Sequence, residues 1–251
     1  MNAPRFSNYD EAVTYLYHQL PMYSKIGSAA LRPGLDNIIA LCAYLGNPQK
    51  EFKSIHIAGS NGKGSVSHLL SGTFQLAGYK TGLYTSPHLV DLRERFRING
   101  ALIHKEWIVD FLNKHINFIT QLSPSYFELN VAMAFKVFAE EGVDIAIIET
   151  GLGGRLDSTN IILPELSVIT NISLEHAQIL GNTLQEIAGE KAGIIKSNVP
   201  VVIGETQDTT DSVFFAKAVQ EQAPITFADS LWHIAKIKAD AISQTFKLIK
   251  N

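Results

Sequence analysis

The segment Ser54-Ile55-His56-Ile57-Ala58-Gly59-Ser60-Asn61-Gly62-Lys63-Gly64-Ser65 constrains the fold more than any other part of the chain. A β-favouring, mostly apolar run leads straight into three glycines, a lysine and a serine, and a helical pattern follows. This order predicts a buried strand, a tight loop and the start of a helix. Glycines let backbone amides approach an anion, and the helix end adds partial positive charge, so the loop reads as a phosphate cradle. Lys63 would reach the outer phosphates and the Ser65 hydroxyl would face Mg²⁺. The general pattern G-x-x-x-x-G-K-[ST] needs glycine at 57 and Ser or Thr at 64, where this chain has Ile57 and Gly64. On these residues alone, a glycine-rich turn that binds nothing stands as the alternative.

The rest of the chain alternates strand and helix. Helical patterns cover 8–20, 35–45, 63–77, about 104–121, 126–141 and 208–221, and a Thr183/Glu186 capping box opens another that runs to 195. Strand patterns cover 79–85, 143–149, 166–171 and 199–203, and Asn99-Gly100 marks a hairpin. Short strands follow Pro224. Such alternation predicts an α/β fold, a mostly parallel sheet with helices on both faces and short extra strands at the C-terminus. No linker or repeat divides it, so residues 1–251 are expected to form one domain.

Composition narrows the function classes. Apolar residues make up 46% and charged residues 18%, which suits a soluble globular chain. A net charge of −3 gives no electrostatic reason to expect nucleic acid or an anionic membrane as partner. The single cysteine, Cys42, forms no internal disulfide and no thiolate cluster for zinc. No apolar run reaches membrane-spanning length, and Asp10 and Glu11 stand where a leader would be basic, so a cytoplasmic enzyme is expected.

In parallel sheets ligands collect at the carboxyl ends of the strands. Lys63 and Ser65 follow the first strand and Ser86 and His88 the second. Glu149 ends the third, beside Gly151, Gly153, Gly154, Arg155 and Asp157. His176 follows the fourth, and Lys191 lies in the next helix. A carboxylate such as Glu149, on a strand end opposite a loop serine, suits Mg²⁺ held against nucleotide phosphates. Taken singly, Glu149 reads equally as a surface or cap residue, His176 as structural and Lys191 as solvated.

Taken together, five blocks resemble the bifunctional dihydrofolate synthase/folylpolyglutamate synthase family of the Mur ligase superfamily. They are Ala58–Ser65, Tyr84-Thr85-Ser86-Pro87-His88-Leu89, Arg93–Gly100, Glu149–Asn160 and Gly189-Glu190-Lys191-Ala192-Gly193-Ile194-Ile195-Lys196. The resemblance extends over essentially the whole chain. Its loop is shorter than the general P-loop pattern, which accounts for Ile57 and Gly64. It implies the N-terminal, ATP-binding domain of an ATP-dependent amide ligase. ATP phosphorylates a carboxylate of dihydropteroate or folate, and the amine of L-glutamate then displaces phosphate from the acyl phosphate.

The resemblance also implies the residue roles. Gly59, Asn61, Gly62, Lys63, Gly64 and Ser65 would bind ATP. Ser65, Ser86, Glu149, His176 and Lys191 would serve two Mg²⁺ sites, with Lys191 carbamylated. Lys63, His176 and Lys191 would be catalytic, and Ser125, Leu156, Asp157 and Ser158 would meet the pterin. The chain departs from the family pattern at Glu175-His176-Ala177, where Asp-His-Thr is usual. The family's C-terminal glutamate-binding domain is expected to be absent, so the chain is expected to be truncated, monomeric and inactive alone. Three other readings compete: a peptidoglycan ligase, a non-catalytic nucleotide-binding remnant, and a GTPase, for which the [NT]-K-x-D motif is missing.

Overall fold

The computed structural model describes residues 4–21, 34–240 and 242–251. Two helices, α1 (Tyr9–Gln19) and α2 (Asp36–Tyr44), precede the first strand. Then come β1 (Lys53–Ala58), α3 (Lys63–Leu76), β2 (Thr81–Tyr84), β3 (Phe96–Ile98) and β4 (Ala101–Leu102). Two long helices follow, α4 (Lys105–Leu122) and α5 (Tyr126–Glu140), then β5 (Ile145–Glu149) and β6 (Leu166–Ile169). The last third holds α6 (Ala177–Leu180), α7 (Leu184–Ala192), β7 (Val201–Ile203), α8 (Asp211–Gln220), β8 (Ile225–Phe227), α9 (Ala228–Leu231), β9 (Trp232–Ala239) and β10 (Gln244–Lys250).

The main sheet has the order β4-β3-β2-β5-β1-β6-β7-β8. From β2 to β8 all neighbours are parallel, and β3 and β4 extend the β2 edge antiparallel. The chain leaves β1 outward to β2, returns to β5, and crosses to β6 on the other side of β1. That reversal opens a crevice at the carboxyl end of β1, where a ligand site is expected in such sheets.

The strands are apolar on both faces because helices cover both. On one face Ile55, Ile57, Leu83, Ile145, Ile147 and Val168 pack under Val66, Leu70 and Phe74 of α3. On the other, Tyr84, Ala146 and Ile148 join a larger core with α5, whose residues from Leu129 to Ala134 are all buried. A helix apolar on nearly every side belongs in such a position. A third cluster joins β6 and β7 to α7 and α8.

The expected elements are all present, with shorter ends. The Asn99-Gly100 turn has φ of 48° and 76°, the left-handed pair a tight hairpin requires. The helix expected to reach residue 195 stops at Ala192, and Gly193 after it packs against the backbone of Arg155. After Pro224, β8 completes the main sheet, while β9 and β10 pair as a separate antiparallel hairpin. Among the described residues no helix is long and apolar enough to cross a membrane.

Candidate functional site

The glycine loop between β1 and α3 is braced from outside. The chain turns at Gly59 with φ of 146°, and a Cβ there would collide with Thr170 Oγ1. Instead that hydroxyl donates to Asn61 O at 2.5 Å. Ser60 N donates to Asn171 O at 2.9 Å and Asn61 N to Asn171 Oδ1 at 2.9 Å. Ser173 N donates to Ser60 Oγ at 2.9 Å. The segment leaving β6 therefore fixes the loop that leaves β1.

Gly62, with φ of 80°, caps α3, and no side chain satisfies the first-turn amides. Those donors, with the helix dipole, make the loop receptive to phosphate. Lys63 Nζ lies folded across the loop, donating to Gly59 O at 2.8 Å and Ser60 O at 3.3 Å. Asn61 and Ser65 are exposed at its rim.

Glu149 ends β5 beside this loop. Its carboxylate oxygens lie 3.7 and 3.9 Å from where a Cβ on Gly64 would stand, so the acid faces the start of α3 at contact distance. Ser86 N donates to Glu149 Oε2 at 3.3 Å. The side chain is buried, and burial pushes its pKa up to about 7 against the pull of Lys63 and the Ser86 amide. A desolvated carboxylate gains from a cation. Among the described residues no three His, Cys, Asp or Glu side chains cluster as a metal site. A divalent ion here would draw its remaining ligands from hydroxyls, water and phosphate, which suits Mg²⁺. The structure thus brings Lys63, Gly64, Ser86 and Glu149 together.

The Glu149–Asn160 and Gly189–Lys196 motifs interlock backbone to backbone. A Cβ on Gly154 would stand 2.8 Å from Glu190 O and 2.9 Å from Lys191 O. Arg155 N donates to Glu190 O at 2.7 Å, and Asn160 Nδ2 to Gly193 O at 3.0 Å. This packing fixes Lys191, which is 1% exposed. Its Nζ is 2.6 Å from Glu175 Oε1. Burial lowers the Lys191 pKa, opposed by Glu175. For Glu175 burial pushes upward, and the bond to Lys191 leads the effects that leave it below its usual value.

Lys191 was expected to share the Mg²⁺ sites with Glu149 and His176; in this structure it pairs with Glu175, the neighbour of His176. His176 is exposed at the N-cap of the short helix α6, with φ of 44°. The pairing suits an ammonium. A carbamate on Lys191 would set two anions side by side unless Glu175 turned outward.

The residues expected to meet the pterin are spread over two elements. Ser125 caps α5: its Oγ accepts from Glu128 N at 3.2 Å, and Glu128 Oε2 accepts from Ser125 N at 2.6 Å. Leu156 is 45% exposed, while Asp157 and Ser158 are buried. Both Asp157 oxygens are bonded internally. Oδ2 accepts from Gly151 N at 2.8 Å and Leu152 N at 2.9 Å, and Oδ1 from Thr159 N at 3.0 Å and Thr159 Oγ1 at 2.5 Å. A carboxylate has about four acceptor positions, and these bonds use them.

Sequence reasoning gave no role to Arg95. It is buried, its Nε donates to His88 Nδ1 at 2.8 Å, and its guanidinium lies 5.5 Å from the Tyr126 ring centroid. The Tyr84 and Tyr126 hydroxyls nearby are buried, and burial pushes both pKa values up. Thr170, Asn171 and Ser173 were missed as well. The signal for them was weak, a polar cluster at the end of β6 with no spacing that names its partner.

The family model described as Mur ligase middle domain matches residues 57–250. The chain belongs to the Mur ligase family. Within the Mur ligases it is 42% identical over 226 residues to a dihydrofolate synthase/folylpolyglutamate synthase of Bacillus subtilis, covering 87% of this chain and 51% of that protein. It is 34% identical over 246 residues to a folylpolyglutamate synthase of Lacticaseibacillus casei, covering 95% and 56%. The crystal structure of a Thermotoga maritima folylpolyglutamate synthase superposes with a TM-score of 0.86 at 37% identity, over 96% of this chain and 55% of that one. The chain therefore spans about half the length of the curated relatives it matches. This Mur ligase domain matches the α/β, mostly parallel architecture read from its sequence.

Proposed function

We propose that the chain is the nucleotide-binding half of an ATP-dependent carboxylate–amine ligase that joins L-glutamate to dihydropteroate, or extends folate polyglutamates. The observation that carries this reading is the braced Gly59–Ser65 cradle with buried Glu149 against Gly64. Support comes from solved relatives: one is an FPGS complex with AMPPCP and folate, and one is an Escherichia coli enzyme in complex with DHPP and ADP.

In this reading the α3 amides and Lys63 bind the phosphates, with Lys63 exchanging its carbonyl partners for phosphate oxygens. Ser65, Ser86 and Glu149 would hold Mg²⁺, which supplies positive charge to offset two anions approaching each other. A substrate carboxylate oxygen bonds to the γ-phosphorus as the bond to ADP breaks. The glutamate amine then bonds to the acyl carbon, phosphate leaves with the C–O electron pair, and the amine gives up a proton. Ser125, Leu156, Asp157 and Ser158 form the pterin side. His176 and Lys191 belong to a second cation site, with Lys191 carbamylated once Glu175 turns to solvent.

No residue of this chain is proposed for glutamate or adenine. The reading is tested by calorimetry with Mg²⁺–AMPPCP and with dihydropteroate. Lys63→Ala should weaken the nucleotide at least tenfold and leave dihydropteroate affinity unchanged; equal nucleotide affinity would refute the loop's role.

A further inference from the structure

One buried polar chain runs beneath the site, and two of its members, His56 and Thr159, have no role in the reading above. His56 lies on β1, three residues before Gly59, and is 0% exposed. Its Nε2 is 2.8 Å from Thr159 Oγ1. The Thr159 hydroxyl proton goes to Asp157 Oδ1, so its oxygen accepts and His56 Nε2 must carry the donated proton. That tautomer leaves His56 Nδ1 as a bare acceptor, buried with no partner. Burial, aided by Lys196, pushes the His56 pKa down to about 3, so the ring stays neutral and in this tautomer. A leucine would fill this strand position without an orphaned nitrogen. The polar chain is costly as packing alone, and it ends on the acid that holds the Gly151 and Leu152 amides.

We infer that His56, Thr159 and Asp157 act as a positioning chain that ties the strand feeding the nucleotide loop to the turn forming the pterin side of the site. Asp157 then works through its backbone neighbours, since its carboxylate is saturated by internal donors. His56 sits on the same strand as Ile57, whose carbonyl accepts from Thr150 N at 2.9 Å. The turn is therefore held to β1 at both ends, by backbone at Thr150 and by this side-chain chain at Thr159. The inference rests on the proposed function for its ligand, a pterin-bearing benzoate, and on the structure alone for its positioning step.

The test compares Thr159→Val, which keeps shape and deletes the hydroxyl, with Thr159→Ser, which restores it. His56→Leu and His56→Gln form the parallel pair, because a glutamine amide can reach Thr159 Oγ1 as a donor, and this pair decides the matter if Thr159→Val fails to fold. Two readouts are taken on the 251-residue chain: calorimetric affinity for dihydropteroate and for Mg²⁺–AMPPCP, and amide exchange without ligand. Loss of one buried bond to a charged network corresponds to about tenfold. Thr159→Val and His56→Leu should weaken dihydropteroate about tenfold and speed exchange at Gly151 and Leu152. Nucleotide affinity and Thr150 exchange should hold, and the Ser and Gln variants should recover. Unchanged exchange at Gly151 and Leu152, or equal weakening of both ligands, would overturn the inference. If the wild-type chain binds no dihydropteroate, the ligase reading fails by itself, and the exchange comparison still decides the positioning chain.

Discussion

Replacing His56 by glutamine should make the protein less sensitive to acid. The unfolded histidine has a pKa of about 6.5, and burial among the strands lowers the folded value to about 3. The unfolded state therefore binds the extra proton first. The stability contributed by the neutral buried ring is complete above pH 6.5 and is lost as pH falls from there toward 3. At pH 4.5 the unfolded ring is two units below its pKa and the folded ring is still neutral. At about 1.4 kcal/mol per unit, the wild type should lose about 3 kcal/mol from this residue alone between pH 7 and 4.5. Glutamine keeps a donor toward Thr159 Oγ1 and does not titrate. Urea unfolding of both proteins at the two pH values isolates the effect, because the remaining titrating groups are common to both. The acid loss should be smaller in His56→Gln by about 3 kcal/mol. Equal losses would refute the burial argument.

Gly59→Ala should cost about 1–3 kcal/mol from its φ of 146° alone. The collision with Thr170 should also displace the loop, so a lowered melting temperature with intact nucleotide affinity would contradict the bracing. Glu149→Gln should abolish the Mg²⁺ dependence of AMPPCP affinity while leaving metal-free affinity within about threefold, roughly half of a tenfold step. A variant whose affinity still rises with Mg²⁺ would remove Glu149 from the metal site. Lys191, buried and with its pKa lowered, should take up ¹³C-bicarbonate as a carbamate, more readily in Glu175→Gln, where no carboxylate opposes it. A signal that persists in Lys191→Met would place the label elsewhere.

Much of the fold was legible because its signals are local. The strand into the glycine loop, the all-apolar run of β5, the Asn99-Gly100 turn and the Thr183 capping box each lie within a few residues of sequence. The site was legible as a set of motifs and less so as geometry. Glu149 stands where a strand-end carboxylate was expected, against Gly64. The bracing of the loop was hidden, since Thr170 and Asn171 lie about a hundred residues from their partners. Lys191 was singled out, but its pairing with Glu175 depends on how α6 and α7 fold over the loop. Asp157 was named for the pterin side, but the sequence did not show that its carboxylate also gathers the Gly151, Leu152 and Thr159 donors. His56 gave no signal, because alternation along β1 marks it only as one more strand residue.

The cations of the site share an arrangement that bears on how it would respond to ligand. Lys63 is held by two loop carbonyls, Lys191 by Glu175, and Arg95 by a histidine nitrogen and an aromatic face. Lys63 and Arg95 have neutral hydrogen-bond partners, which a phosphate or carboxylate outcompetes because it adds charge–charge attraction to the bond. Only Lys191 already has an anion. Phosphate entering the cradle would thus draw Lys63 first at little cost, and would relieve the repulsion that Lys63 exerts on Lys191. By the same electrostatics Glu149, raised by burial, would ionise as Mg²⁺ arrives. A cation at Glu149 would also offset the repulsion between that acid and an incoming phosphate, so in the proposed reading metal and nucleotide would favour each other there.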